Sequence, residues 1–130
     1  MFWRVNFALA AFYGALVVGM SAAISHYFQL HMDTAPFSAL LSSTAMLALH
    51  ALLILGLAAI GLWGNPLLPW QQRYLKSVII LLQLGLWLFV YTVWAGLFEL
   101  PLHVRALAPV GGQTLLGCWL LLGAVPFIRK

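Results

Sequence analysis

The chain has very little charge. Only 6% of its 130 residues are Asp, Glu, Lys or Arg, whereas 65% are hydrophobic, and an ordinary soluble domain has roughly 25% charged residues. Acidic residues are the scarcest, with Asp33 and Glu99 as the only two. This composition excludes a water-soluble globular domain and predicts an integral membrane protein. Because the six Lys and Arg residues are scattered, we expect no nucleic-acid partner.

Cysteine and recognisable catalytic motifs are also nearly absent. Cys118 is the only cysteine and lies inside an apolar run, which excludes an intrachain disulfide and a metal site built from several cysteines. The sequence has no P-loop or G-x-G-x-x-G spacing, and no serine, histidine and aspartate can be assigned to a catalytic triad. We therefore expect neither an enzyme nor a bound cofactor.

Long apolar runs fill the rest of the chain. Twenty residues of helix cover roughly 30 Å, the thickness of the hydrocarbon core of a bilayer. Four runs reach about this length, and they predict one all-helical domain over residues 1–130 with membrane spans at about 5–28, 45–64, 77–98 and 109–128. The first run is longer than the apolar region of a secretory signal, so we expect it to be a span.

Residues 36–44, PFSALLSST, leave two structures open. They form either a separate amphipathic helix at the membrane surface or the start of a long, tilted second span. We favour a span that begins near Ala45, because residues 45–64 are long enough by themselves and serine and threonine are better placed near water. In that case His50 lies only about 8 Å below the membrane surface, and otherwise it lies near the middle of the bilayer.

Positive charge predicts the orientation in the membrane. Four spans place both ends of the chain and the loop between spans two and three on one side. That side carries Arg4, Arg73, Lys76, Arg129 and Lys130, whereas the other side carries Arg105 alone. Since cytoplasmic segments of membrane proteins are enriched in Lys and Arg, we expect both termini to be cytoplasmic. All four histidines and both carboxylates then belong to the opposite half.

Small residues recur at helical spacing in two of the spans. They are Ala11, Ala15, Gly19 and Ala23 in span one, and Gly111, Gly112 and Gly117 in span four. In a membrane such residues let two helices approach closely, so that packing replaces the missing hydrophobic driving force. Both sets therefore predict helix-packing seams.

An aromatic stripe marks span three. Trp87, Tyr91, Trp94 and Phe98 follow Gln83 at offsets that place all five on one face of a helix. Flat aromatic faces suit a partner helix, and they also suit a ring ligand such as a quinone or a pigment, with Gln83 or a histidine as the hydrogen-bond donor. We expect the four aromatic residues to form an interaction surface.

The histidines are the remaining polar signal. His50 stands alone inside an apolar run and needs a hydrogen-bond partner there, and His26 closes span one. One interpretation is that His26 and His50 bond each other, a serine or a backbone carbonyl, and so pin two helices together. The alternative is a metal or haem site with His26, His50, His103 and Asp33 as candidate ligands, although no HxxxH spacing supports it.

Four motifs, SAAISHYF, LALHALLIL, LFVYTVW and APVGGQTLLGCWLLLGA, lie in the four spans. Together they resemble the YgdD-like family of small bacterial inner-membrane proteins, a family of unknown function with a mitochondrial relative. The first two are similar to the family's GAFGAH and FHALALL segments, which places His26 and His50 at its two histidines. The last is similar to TPIGG…GW and matches Pro109, Gly111, Gly112, Gly117 and Trp119. The third departs from LFSGSLY, with Phe89 as the outright match.

The resemblance implies four spans in the bacterial inner membrane, or alternatively the mitochondrial one, and it implies no reaction. By elimination we expect a non-catalytic accessory or scaffold subunit whose partners are the lipid bilayer and a larger membrane complex, with complexes of energy conversion as the candidate class. Binding of a metal, haem or quinone at the histidines is the alternative. An oligomeric transporter or channel is a further one, although no span carries a series of ionisable side chains.

Overall fold

The computed structural model describes residues 1–64, 67–101 and 104–128, and within these ranges every regular element is helical. Four helices, α1 (Phe2–His31), α2 (Thr34–Trp63), α3 (Pro69–Leu97) and α4 (Leu107–Phe127), are each long and apolar enough to cross a membrane. The last turn of α4 is a 3₁₀-helix, Val125–Phe127. The predicted all-helical chain with four such helices is confirmed.

Proline and a left-handed residue mark the two ends of α3. Pro69 occupies the first turn of α3, where its missing N–H removes no helical hydrogen bond. The side chain of Gln71 folds back to accept the backbone N–H of Leu68 at 2.9 Å. At the other end, α3 stops at Leu97, and Glu99, two residues before Pro101, adopts a left-handed conformation with a φ of 53°.

Contacts between helix ends show that consecutive helices run antiparallel. These contacts join Trp3 to Gly61, Trp94 to Ser43 and Tyr74 to Leu121. Each pair joins the first part of one helix to the last part of its neighbour along the chain. The charged residues of the described chain therefore lie in two groups at opposite ends of the bundle. Arg4, Arg73 and Lys76 lie at one end, and Asp33, Glu99 and Arg105 lie at the other.

Helices α2 and α3 form the centre of the bundle. α1 packs mainly on α2, and α4 packs mainly on α3. In its most apolar window α3 is 44% buried, against 17% in both α1 and α4. The core between these helices includes Leu47, Ile54, Ile79, Leu82, Leu86 and Leu115. The two flanking helices consequently present long apolar faces outward.

Residues 36–44 are the first part of a continuous α2 and do not form a separate helix. The hydroxyl of Thr44 donates to the backbone oxygen of Leu40 at 2.8 Å, and that of Ser43 donates to the backbone oxygen of Ala39 at 2.8 Å. Because the helix itself satisfies these hydroxyls, both residues are buried and need no water. The start of the membrane span near Ala45 stays a prediction, and His50 lies near the middle of α2.

Candidate functional site

A chain of polar side chains joins α1 to α3. The side-chain oxygen of Gln83 accepts a hydrogen bond from the Tyr13 hydroxyl at 2.7 Å, and its nitrogen donates to Asn6 at 3.1 Å. The Asn6 nitrogen donates in turn to the backbone oxygen of Phe2 at 3.0 Å, and Trp87 Nε1 donates to the Tyr13 hydroxyl at 3.2 Å. Since an unpaired polar group in apolar surroundings is costly, this network ties the two helices together.

The sequence interpretation missed two members of this network. Asn6 and Tyr13 lie two helical turns apart and therefore share one face of α1. That spacing was a signal that both polar groups point toward the same neighbour. Gln83, one of the donors considered for a ring ligand, donates to Asn6 and accepts from Tyr13.

His50 links α2 to α4. Its Nδ1 lies 2.8 Å from the backbone oxygen of Met46, and its Nε2 accepts a hydrogen bond from Trp119 Nε1 at 3.2 Å. A carbonyl at Nδ1 and an N–H at Nε2 are satisfied together only by the neutral ring with its proton on Nδ1. His50 is 1% exposed. It therefore has a partner on another helix, but that partner is Trp119 and not His26.

The other predicted metal ligands are not brought together with His50. His26 is exposed in a π-helical segment of α1, Ile24–Phe28, and Asp33 is exposed between α1 and α2. His103 lies outside the described residues. Within residues 1–64, 67–101 and 104–128, no three His, Cys, Asp or Glu side chains form a group that could hold a metal ion.

An aromatic groove of about 180 Å³ lies between α1 and α3. Its lining is Tyr13, Leu16, Leu47, Leu86, Trp87, Val90, Tyr91 and Trp94. One wall is the π-helical segment of α3, Trp87–Tyr91, and such segments are frequent at functional sites. The polar tips at its rim are occupied, because Trp94 Nε1 donates to Ser43 at 3.0 Å and the Tyr91 hydroxyl donates to Pro101 at 2.6 Å. The groove therefore offers mainly aromatic and aliphatic surface.

The four residues predicted as an interaction surface do not all share one environment. Trp87, Tyr91 and Trp94 line the aromatic groove, and Trp87 is 57% exposed. Phe98 lies beyond the groove and packs on Phe28 with ring centroids 5.5 Å apart. The accessible part of the predicted surface is thus the groove wall.

The glycine-rich start of α4 packs directly on α3. A Cβ atom built on Gly111 would lie 2.5 Å from the backbone nitrogen of Phe89 and 2.7 Å from the backbone oxygen of Gly85. Backbone therefore meets backbone at this crossing, beside the π-helical segment of α3. A Cβ on Gly112 would make ordinary contact with the Phe89 ring, and one on Gly117 would meet nothing within 4 Å. Gly85 is the partner that the sequence interpretation missed.

The small-residue seam of α1 faces outward instead. Ala11, Ala15 and Gly19 are exposed, Ala23 is half-buried, and a Cβ built on Gly19 would meet nothing within 4 Å. A shallow depression of about 360 Å³ continues this surface between α1 and α2. Its lining includes Ala10, Ala11, Gly14, Ala48 and Ala51. In the described chain no helix covers Gly19.

No protein-family model, curated protein or solved structure matches this chain. The resemblance to the YgdD-like family therefore stays a prediction based on the motifs in the four helices. Two residues at motif positions of that resemblance, His50 and Trp119, come from different spans, and their side chains meet in the structure at 3.2 Å.

Proposed function

We propose that this chain is a non-catalytic accessory or scaffold subunit that crosses an inner membrane four times and docks on a larger membrane complex. The observation that carries the proposal is the exposed small-residue seam of α1. Ala11, Ala15 and Gly19 lie at four-residue spacing on a face that no helix of the described chain covers.

Such a face favours a helix over lipid as its neighbour. Lipid tails gain little from small side chains, whereas a second helix can bring its backbone close and gain packing contacts and interhelical hydrogen bonds. The depression between α1 and α2 extends the same surface, because Ala11 belongs to both. A helix of the partner complex lying along α1 would then contact α2 as well.

The internal polar contacts support a structural role. Gln83 and His50 lie in the middle of apolar helices, and each bonds to side chains on another helix. These contacts tie α1 to α3 and α2 to α4. A rigid bundle with an uncovered face is what a docking subunit requires.

The proposed orientation has both termini in the cytoplasm of a bacterium, or in the matrix of a mitochondrion as the alternative. Arg4, Arg73 and Lys76 lie at one end of the bundle, and both carboxylates lie at the other. The excess of positive charge at one end supports this orientation. Arg129 and Lys130, which also entered the sequence argument, lie outside the described residues.

The test compares Gly19→Leu with Gly123→Leu. A Cβ at either position meets nothing within 4 Å, so both variants are expected to fold, but only Gly19 belongs to the seam. After gentle detergent extraction of native membranes, we expect the unaltered chain and Gly123→Leu to migrate with a large complex and Gly19→Leu to migrate as a small species. An unaltered chain that migrates alone, or a Gly19→Leu chain that stays with the complex, would contradict the proposal.

The aromatic groove favours a second candidate function, the binding of an apolar ring such as a quinone head group. The ring would be held by the faces of Trp87, Tyr91 and Trp94, because the polar tips at the rim are already paired. Decylubiquinone should then quench the fluorescence of Trp87, so that Trp87→Phe loses most of the saturable quenching and Trp119→Phe keeps it. Equal quenching in both variants would argue against a site in the groove.

A further inference from the structure

A second groove lies at the end of the bundle that carries the carboxylates. It has a volume of about 220 Å³ and is formed by three helices and the turn before α4. Ala39 comes from α2, Thr92, Gly96 and Leu97 come from α3, and Ala108 comes from α4. Arg105 completes the lining. We call this the Arg105 groove.

Arg105 stands apart from the other cations of the chain. It is the only Lys or Arg between residues 77 and 128. It is exposed in the turn that leads into α4, where its backbone oxygen accepts the N–H of Ala108 at 3.3 Å. Among the described residues, neither Asp33 nor Glu99 forms an ion pair with it. Its guanidinium group is therefore available to a ligand.

Orientation in the membrane does not explain this cation. The proposed topology accounts for positive residues at the opposite end, and it disfavours one here. Small and apolar side chains surround Arg105 in the groove, with the buried Thr92 as a polar exception. A cation at the edge of a mostly apolar groove is complementary to an amphiphile with an anionic head and a hydrocarbon chain.

We propose that the Arg105 groove binds an acidic phospholipid from the surrounding bilayer. The lipid phosphate lies on the Arg105 guanidinium, whose planar donors match two phosphate oxygens. One acyl chain lies along Ala39, Gly96 and Ala108, where the small side chains leave room for it. Basic pockets between transmembrane helices on the cytoplasmic or matrix side bind anionic head groups, and the Arg105 groove would be such a site at the opposite end. This inference rests on the proposed membrane insertion and not on the proposed accessory role.

The test is lipid binding to the full-length chain in a neutral detergent, followed by native mass spectrometry. The probes are dioctanoyl phosphatidylglycerol, dioctanoyl phosphatidylcholine and glycerol phosphate. The variants are Arg105→Gln, Ala108→Leu and, as the matched control, Arg4→Gln, which removes an exposed cation at the opposite end. Because the chain is isolated from any partner complex, the result does not depend on whether the accessory role is correct.

We expect phosphatidylglycerol to bind the unaltered chain and Arg4→Gln equally, and Arg105→Gln about tenfold more weakly. Ala108→Leu should also weaken binding, because it fills the groove without removing the charge. Phosphatidylcholine and glycerol phosphate should bind more weakly than phosphatidylglycerol. The proposal is overturned if Arg105→Gln binds as the unaltered chain does or if Arg4→Gln loses as much affinity. It is overturned equally if Ala108→Leu has no effect, or if either weaker probe binds as tightly.

Discussion

The two small-residue regions of this chain have opposite environments. In α4, Gly111 lies so close to α3 that a single added carbon would collide with the backbone at Gly85 and Phe89. In α1, Ala15 and Gly19 lie on an exposed face, and a carbon added to Gly19 would meet nothing. The spacing of small residues predicts close helix packing in both regions. Only the region in α4 has its partner within the described chain.

The difference teaches what a small-residue pattern specifies. It specifies that a backbone can approach closely, and it carries no information about which chain supplies that backbone. Gly85 of α3 faces Gly111 of α4. The close approach at Gly111 therefore has its partner within the chain. α1 packs mainly on α2, and its buried residues include Ala10 and Tyr13. Its seam is left for a neighbour, and the following predictions test that distinction.

The largest loss of stability is expected where Gly111 of α4 packs on α3. Gly111→Ala forces backbone atoms of α3 and α4 apart, and overpacking of this kind typically costs about 1–3 kcal/mol. Gly117→Ala is the control within α4, because its Cβ has open space. The free energy of unfolding in detergent, measured by denaturant titration, should fall for Gly111→Ala only. Equal stability of the two variants would contradict the close approach.

A loss of stability of similar size is expected when the polar network is broken. Gln83→Leu leaves Asn6 and Tyr13 without their partner, and an unsatisfied buried polar group costs about 1–3 kcal/mol. Gln113→Leu makes the same chemical change at an exposed position of α4. Circular dichroism during thermal unfolding should show a lower midpoint for Gln83→Leu than for Gln113→Leu. If the midpoints coincide, the network does not hold α1 to α3.

The contact between His50 and Trp119 should have a smaller effect. Trp119→Phe removes the donor to His50 Nε2 while keeping an aromatic ring, and interhelical hydrogen bonds in membrane proteins average about 0.6 kcal/mol. A double-mutant cycle with His50→Leu isolates the pair, because residues that share a contact give non-additive changes in stability. Additive effects of the two substitutions would show that the hydrogen bond contributes nothing.

The smallest change in stability is expected at the open seam. Gly19→Ala adds one carbon where nothing lies within 4 Å, and substitutions at such sites usually stay within about 0.5 kcal/mol. The variant should unfold like the unaltered chain in detergent. A clear loss of stability in the isolated chain would mean that the seam packs within the chain after all.

The number of helices follows from the apolar runs in the sequence, because each run forms a helix about as long as a bilayer is thick. The sequence also shows correctly that His50 needs a partner. It does not show that the partner is Trp119, since this depends on how α2 and α4 are rotated about their axes. The sequence does not show that Ser43 and Thr44 bond to the carbonyls of their own helix and are buried there. The aromatic groove and the Arg105 groove depend on three-dimensional packing that periodicity does not specify.

Chemical cross-linking in native membranes tests the central claim most directly. Gly19→Cys and Gly123→Cys would be compared in a Cys118→Ala background, which removes the only native cysteine. With a short thiol-to-amine or thiol-to-thiol reagent, we predict that position 19 forms an adduct with one defined protein chain in high yield and that position 123 forms none. If position 19 gives no protein adduct, or both positions give the same adducts, the seam of α1 faces lipid and the proposed docking role is wrong.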